Sequence, residues 1–278
     1  MNRRTKIIQP KSGWQGINFQ ELYNYKDLLY FMVLREVTVL YKQTILGFSW
    51  AIIRPVVSML IFSIVFGKLA QIPSDGIPYP IFSYVALVPW IYFSTAMTKS
   101  TQSLIGSTNI FTKVYFPRLI IPLTPIIAGL VDFIIALSLT LVMMFYYEIS
   151  ISLNVLWIPL LTLIMILTSV GIGMWLSALA LQYRDVRHAI QFIAQLLMYA
   201  APVVWPISLI TEKFGETFSF WYGLYPMVGV IEGFRSSLLG INPMPWTLIM
   251  MATISSLIIS FTGALYFKNK EKIFSDIA

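Results

Sequence analysis

Cysteine is absent from the 278 residues, which excludes disulfides, thiolate metal sites and cysteine nucleophiles. Histidine occurs once, at His188, too few for a multi-histidine metal centre or for serine–histidine chemistry. Charge is also scarce: 11% of side chains carry one, where a soluble domain carries about a quarter. No Gly-rich turn followed by Lys and Ser or Thr is found, so the chain lacks the phosphate cradle that ATP hydrolysis needs. Its 12 acids are scattered, against the close carboxylate pairs of glycoside hydrolysis. Met1–Trp14 is basic and polar with no apolar core, so a cleavable signal peptide is not expected. Low-complexity tracts and repeats are missing.

What is abundant is apolar length. Hydrophobic residues make up 58% of the chain, and Val155–Leu181 contains no charged, Asn, Gln or His side chain. As a helix that stretch is roughly 40 Å long, enough to cross a bilayer's hydrocarbon core with tilt. Six such spans are expected: Gly47–Phe66, Pro80–Met97, Leu119–Tyr147, Val155–Leu181, Ala189–Ile210 and Trp246–Phe267. Backbone groups in lipid must be satisfied within their own segment, so helices are expected. Alternating ten-residue strands of a membrane barrel are not seen. The expected class is an all-α, polytopic membrane protein, one transmembrane domain over 1–278.

Its parts are a cytoplasmic or interfacial 1–46, spans one to five over 47–210, an outer re-entrant hairpin over 211–245, and a sixth span with a tail over 246–278. The net charge of +7 fits orientation in a membrane better than nucleic-acid binding, because the basic residues flank the spans. With the N-terminus inside, fifteen of the 19 Lys and Arg fall in inner segments and only Lys68, Lys213 and Arg235 in outer ones. Arg54 lies within the first span near its inner end, where it can snorkel. Both termini are therefore expected in the cytoplasm.

Three segments are neither spans nor simple loops. Tyr25–Gln43 is expected as a helix with Arg35, Thr38 and Lys42 on one face and Val33, Val37 and Leu40 on the other. It lies either along the inner leaflet or against the rest of the protein. Lys99–Arg118 is a long inner connection, polar first and ending in Phe111, Tyr115, Phe116 and Pro117, which suggests a docking element. Phe218–Leu239, within the outer connection Pro206–Pro245, is apolar but interrupted by Gly223, Pro226, Gly229 and Gly233. Two half-helices dipping from outside and turning near Pro226 fit it, at the mouth of a pathway.

Asp132 is the one acid deep in an apolar span. It is either a coupling carboxylate or a bundle-facing acid held by a hydroxyl, a backbone donor or a cation such as Arg54. Glu232 and Arg235, three apart, either pair with each other or shape an outer gate. The aromatic share of 15% belongs to interfacial belts or, in part, to a passage on which sugar rings stack.

Five stretches carry a resemblance to a known family. They are Leu40–Leu69 (LYKQTILGFSWAIIRPVVSMLIFSIVFGKL), Tyr79–Met97 (YPIFSYVALVPWIYFSTAM), Lys113–Phe133 (KVYFPRLIIPLTPIIAGLVDF), Leu176–Pro206 (LSALALQYRDVRHAIQFIAQLLMYAAPVVWP) and Leu224–Gly240 (LYPMVGVIEGFRSSLLG). In this order they resemble the permease subunits of ABC exporters for cell-surface polysaccharides: O-antigen, capsule or teichoic acid, in the ABC-2 class. The family's outer hairpin usually begins with Asn-Pro, where this chain has Leu224-Tyr225-Pro226.

The resemblance implies a bacterial inner-membrane homodimer of permeases with two separate ATPase subunits, which bind ATP and Mg; this chain needs no cofactor of its own. It implies a coupling element about 99–118, with Gly106, Ser107, Asn109, Phe111, Lys113, Tyr115, Phe116 and Arg118, and a smaller inner contact at Arg184 and Asp185. It implies an outer gate with Tyr222, Tyr225, Pro226, Glu232 and Arg235. Passage or inner head-group contacts would fall to Lys42, Trp50, Arg54, Trp90, Tyr92, Phe93 and Asp132. The substrate would be a polyprenyl-diphosphate-linked polysaccharide, most simply O-antigen, with Arg3, Arg4, Lys6 and Lys42 recruiting its diphosphate. The alternatives are a teichoic acid or capsule exporter, a secondary transporter coupled through Asp132, or a glycan-transferring enzyme.

Overall fold

The computed structural model describes residues 19–42, 47–240 and 242–274, and every regular element among them is helical. Arg3, Arg4 and Lys6, expected at the inner leaflet, lie outside the described residues, as do Gln43 and the chain up to Gly47. α1 (Phe19–Asn24) and α2 (Lys26–Tyr41) come first, then α3 (Ser49–Phe62), which continues as a π-helix through Ser63–Leu69. α4 (Tyr79–Gly106) and the single turn α5 (Thr108–Phe111) precede α6 (Ile120–Tyr146). A 3-10 turn, Leu153–Trp157, leads into α7 (Ile158–Gln182), and α8 (Arg184–Ala200) follows. After α9 (Ile207–Phe214), α10 (Glu216–Tyr222) and α11 (Pro226–Leu239) come α12 (Trp246–Lys270) and a 3-10 turn, Glu271–Ile273.

Five stretches among the described residues are long and apolar enough to cross a membrane: Ser49–Leu69, Tyr79–Gly106, Ile120–Tyr146, Leu153–Gln182 and Trp246–Lys270. They match five of the six expected spans within a few residues, except that α4 runs on to Gly106. Nothing in Lys99–Ile105 breaks a helix, so the first part of the expected connection is helical and only Ser107–Leu119 turns the chain.

The stretch Ala189–Ile210 differs most. α8 has 17 residues and stops at Ala200; Ala201 is extended, with φ −92° and ψ 153°. The reason is Pro202, whose ring disfavours helical backbone in the residue before it and which offers no N–H. Ala201–Pro206 crosses as a buried, non-helical strap before α9 begins. Phe218–Leu239 is two helical pieces broken just before Pro226, α10 and α11, and a further short helix, α9, precedes them. Gly215, at φ +83°, separates α9 from α10, and Gly223–Tyr225 separates α10 from α11. α11 starts with Pro226 in its first turn and ends at Gly240, whose left-handed φ of +67° stops the helix.

α4 is the central element: 78% of its most apolar stretch is buried, against 17–39% in the other four. It packs against α3, α6, α7, α8 and α11. α11 is buried along its whole length between α4, α7 and α12. α7 and α12 form the closest pair. Here a Cβ on Gly263 would come within 2.3 Å of the Gly171 carbonyl oxygen, and Ser260 Oγ donates to the Leu167 carbonyl at 2.6 Å. Small residues that let backbones touch are how helices associate where lipid gives no hydrophobic drive. Outward faces of α3, α6 and α12 remain apolar, with Leu60, Ile64, Ile134, Val142, Ile258 and Phe261 exposed.

The bundle has two chemically distinct ends. At one, the basic end, Tyr115 Oη donates to Glu21 Oε1 at 3.0 Å, and the Arg118 backbone N–H donates to Glu271 Oε1 at 3.3 Å. A separate apolar core lies beneath, built from Leu104, Phe111, Phe116, Leu181, Phe267 and Phe274, with α1–α2 packed on it through Leu22, Leu28 and Met32. At the opposite end, Asp75 accepts from Ser208 Oγ at 2.8 Å and from Asn242 Nδ2 at 3.1 Å. The edge-on Trp157–Trp246 pair, 4.7 Å between ring centres, also lies there, and Trp175 meets Tyr266 towards the basic end. Aromatic girdles at two levels are what membrane interfaces select.

Candidate functional site

Three constellations follow from this layout. The first is the surface of the basic end. Gly106, Asn109, Lys113 and Tyr115 are exposed and Ser107 half-buried, whereas Phe111 and Phe116 are 4% and 5% exposed and face the local core. Arg118 lies between: its guanidinium is 5.3 Å from the Phe111 ring centre and 6.0 Å from that of Phe274, and Nη1 donates to the Glu271 carbonyl at 2.5 Å. The connection is thus fastened by two aromatic side chains and a cation, and presents a short polar face with Tyr115 at its tip. Burial, with the Glu21 carboxylate beside it, pushes the Tyr115 phenol above its ordinary range. Arg184 and Asp185 are exposed at the start of α8. Next to them Gln102, Ile105, Arg187, His188 and Gln191 line a cleft of about 460 Å³, so the end of α4 and the start of α8 form one surface.

The second is a cavity of about 260 Å³ between α2, α3, α4 and α6. Each helix contributes one face at helical spacing: Trp50, Ala51, Arg54 and Pro55 from α3, Ile91, Tyr92, Thr95 and Lys99 from α4, Gly129, Asp132, Phe133 and Ala136 from α6. Tyr41, the last residue of α2, donates its hydroxyl to Asp132 Oδ1 and stacks on Phe48 with ring centres 3.9 Å apart. Burial first, and Asp132 second, raise the Tyr41 phenol above its ordinary range, so it stays a donor. Of the open partners for Asp132, the hydroxyl is realised. Arg54 instead lies 6.0 Å from the Trp50 ring centre. Tyr92 rests on Gly129 and donates to the Ile126 carbonyl at 2.9 Å. Trp90 and Phe93, expected beside them, face the core, with ring centres 5.6 Å apart; Lys42 is exposed just past α2.

The third sits where α8 breaks. Arg235 Nη1 donates to Glu232 Oε1 at 2.7 Å and to the Trp205 carbonyl at 3.1 Å, and Nη2 donates to the Val203 carbonyl at 2.9 Å. Its guanidinium stacks on Phe82, 3.7 Å from the ring centre, and Glu232 also accepts from the Ile207 N–H at 3.3 Å. Tyr222 donates to the Ala200 carbonyl at 2.7 Å and Tyr225 to the Leu197 carbonyl at 3.4 Å. The Val203 and Trp205 carbonyls of the buried strap thus find their donor in Arg235 of α11, while Tyr222 and Tyr225 bind carbonyls in the last turn of α8. Glu232 and Arg235 do pair, and the pair also staples the strap to α11, whose first residue is Pro226.

A family profile described as ABC-2 type transporter matches residues 27–239. The chain belongs to that family. Relatives of this ABC-2 transporter include an O-antigen export system permease protein of Myxococcus xanthus, 29% identical over 78% of this chain and 82% of the relative. Another O-antigen export system permease protein, from Klebsiella pneumoniae, is 26% identical over 90% of this chain and 95% of its own. A polysialic acid transport protein of Escherichia coli is 23% identical over 75% of this chain and 80% of its own. Together with the five apolar helices, the family makes the chain a multi-pass membrane transporter component.

Reading residues alone missed several members of these constellations in the ABC-2 transporter. Tyr41, Thr95 and Lys99 join the cavity, and Glu21 and Glu271 hold the basic-end connection. Tyr41 had only a general signal: an acid inside a span needs a donor, without anything to say which one. Glu21 and Glu271 had none, because their partners lie far away in the chain.

Proposed function

We propose that this chain is the permease subunit of an ATP-driven exporter that moves a polyprenyl-diphosphate-linked polysaccharide, of the O-antigen kind, across the bacterial inner membrane. Two copies would enclose the passage, and two separate ATPase subunits would supply the work. The basic end would face the cytoplasm, as the positive-inside bias requires. α8 with its strap joins the two ends of the bundle and would act as a sixth crossing. α10 and α11 would form the outer hairpin, re-entering the membrane from Pro226. The names of the relatives support the polysaccharide, and the lack of a phosphate cradle supports a separate motor.

The observation that carries the reading is the exposed surface of Asn109, Thr112, Lys113, Val114 and Tyr115 on a firmly anchored connection, beside the cleft of Arg187 and His188. Such a surface suits docking into a groove on an ATPase. α1 and α2 offer a route for the stroke: Tyr115 grips Glu21 at one end, and Tyr41 grips Asp132 at the other, with α2 about 24 Å long between them. Proton coupling through Asp132 finds less support, because no second acid lines its cavity among the described residues.

Co-purification of the cognate ATPase tests this. Lys113→Glu with Asn109→Glu, two exposed positions, is expected to reduce ATPase retention at least tenfold while leaving the melting temperature of the permease unchanged. Phe111→Asp is expected to unfold the protein, since it would bury a charge in the basic-end core. Full retention of the ATPase by the double variant would refute the docking assignment.

A further inference from the structure

The buried Glu232–Arg235 pair is engaged inside the protein, and the cleft at Arg187 belongs to the docking surface. The cavity between α2, α3, α4 and α6 is different: it holds two cations that neither of those roles uses. Among the described residues, Arg54 and Lys99 line it without an ion pair or hydrogen bond from either side chain. Arg54 is exposed and Lys99 half-buried, so both heads are accessible. The acid in the same cavity, Asp132, is occupied by Tyr41 and neutralises neither by contact.

Depth gives the cavity a polarity. Arg54 stands about 8 Å along α3 from Ser49, and Lys99 about 11 Å from the Gly106 end of α4, so the cations lie toward the basic end. Val88 lies about 16 Å further along α4, and Ala136 about 6 Å beyond Asp132 on α6, so the inner wall is apolar. A charged mouth above an apolar wall suits a ligand with an anionic head and a hydrocarbon tail. The guanidinium forks onto phosphate oxygens, and the ammonium adds a point charge.

We infer that this cavity is a receptor for an organic phosphate at the head of an apolar chain, held by Arg54 and Lys99 and limited in affinity by the neighbouring Asp132. This deepens the export reading, on which the choice of a diphosphate lipid rests. Trp50, four residues before Arg54 on the same face, flanks the head, and Tyr92 and Thr95 close the α4 side.

The test titrates farnesyl diphosphate into the full-length protein in detergent micelles by calorimetry. Arg54→Gln and Lys99→Gln are each expected to weaken binding at least tenfold, whereas Arg54→Lys and Lys99→Arg retain most of it. Asp132→Asn, which still accepts from Tyr41, is expected to tighten binding severalfold; a merely structural role for the cavity predicts no gain. Inorganic pyrophosphate and a short-chain phosphatidylglycerol separate the sources, and both are expected to bind at least tenfold more weakly. Equal binding of phosphatidylglycerol would overturn the diphosphate assignment, and equal binding of pyrophosphate would overturn the need for a tail. Unchanged farnesyl diphosphate binding in both glutamine variants would overturn the site itself. Co-purification of the ATPase does not depend on Arg54 or Lys99, so failure here leaves the export reading standing.

Discussion

Replacing Arg235 by Leu is expected to leave the protein largely unfolded or degraded, with export abolished. The side chain is buried, ion-paired to Glu232, and donates to two carbonyls of the non-helical strap. Removing one partner of a buried pair strands the other charge, at a cost of about 3–5 kcal/mol. The Val203 and Trp205 carbonyls lose their donors at the same time, adding about 1–3 kcal/mol each if water does not reach them. Glu232→Gln should be milder, because it keeps an acceptor for the Ile207 N–H and for Arg235 and removes only the charge. Thermal unfolding in detergent checks both: Arg235→Leu far below the parent, Glu232→Gln between them. Equal melting of Arg235→Leu and parent would mean that the strap holds without its staple.

Gly263→Val is the second substitution with a large expected effect. Its Cβ would meet the Gly171 carbonyl oxygen at 2.3 Å, and that neighbour is backbone, which cannot rotate away. α7 and α12 would have to separate or shear, forfeiting the contact along Leu167 and Ser260. Overpacking of this kind costs about 3 kcal/mol or more, the upper end for inserted methyl groups. A nearby control is Gly106→Ala: nothing lies within 4 Å of the added Cβ, so the melting temperature should not fall. A melting temperature for Gly263→Val matching that control would show that the two helices are less closely packed than the structure has them.

How much of this could be read from residues depends on whether the cause was local. Apolar length and helix-compatible composition are local, so Ser49–Leu69, α6, α7 and α12 lie close to where they are expected. The basic-end connection was found by its length and aromatic tail, but not its two-faced character. Phe111 and Phe116 look like an interaction motif in sequence, yet they pack on Leu104 of α4 and on Phe267 and Phe274 at the far end of the chain. Ala189–Ile210 was expected as one unbroken span although Pro202 and Pro206 carry the local cause of the break, and its repair was hidden as well. Which donors serve stranded carbonyls depends on α11 lying beside the strap, and that is a tertiary fact. For the same reason Asp132 could be recognised as needing a donor while Tyr41, 91 residues away, could not be chosen over Arg54.

Export of this kind requires the basic end to face the compartment that holds ATP. Since the chain has no cysteine, single cysteines can be introduced into an unlabelled background. Tyr115→Cys and Asn269→Cys mark the basic end, and Lys213→Cys on α9 marks the end where Asp75 meets Ser208. In intact cells stripped of their outer envelope, a membrane-impermeant maleimide should label position 213 and spare 115 and 269, which become reactive only after lysis. Labelling of 115 in intact cells, or of 115 and 213 together, would contradict the account.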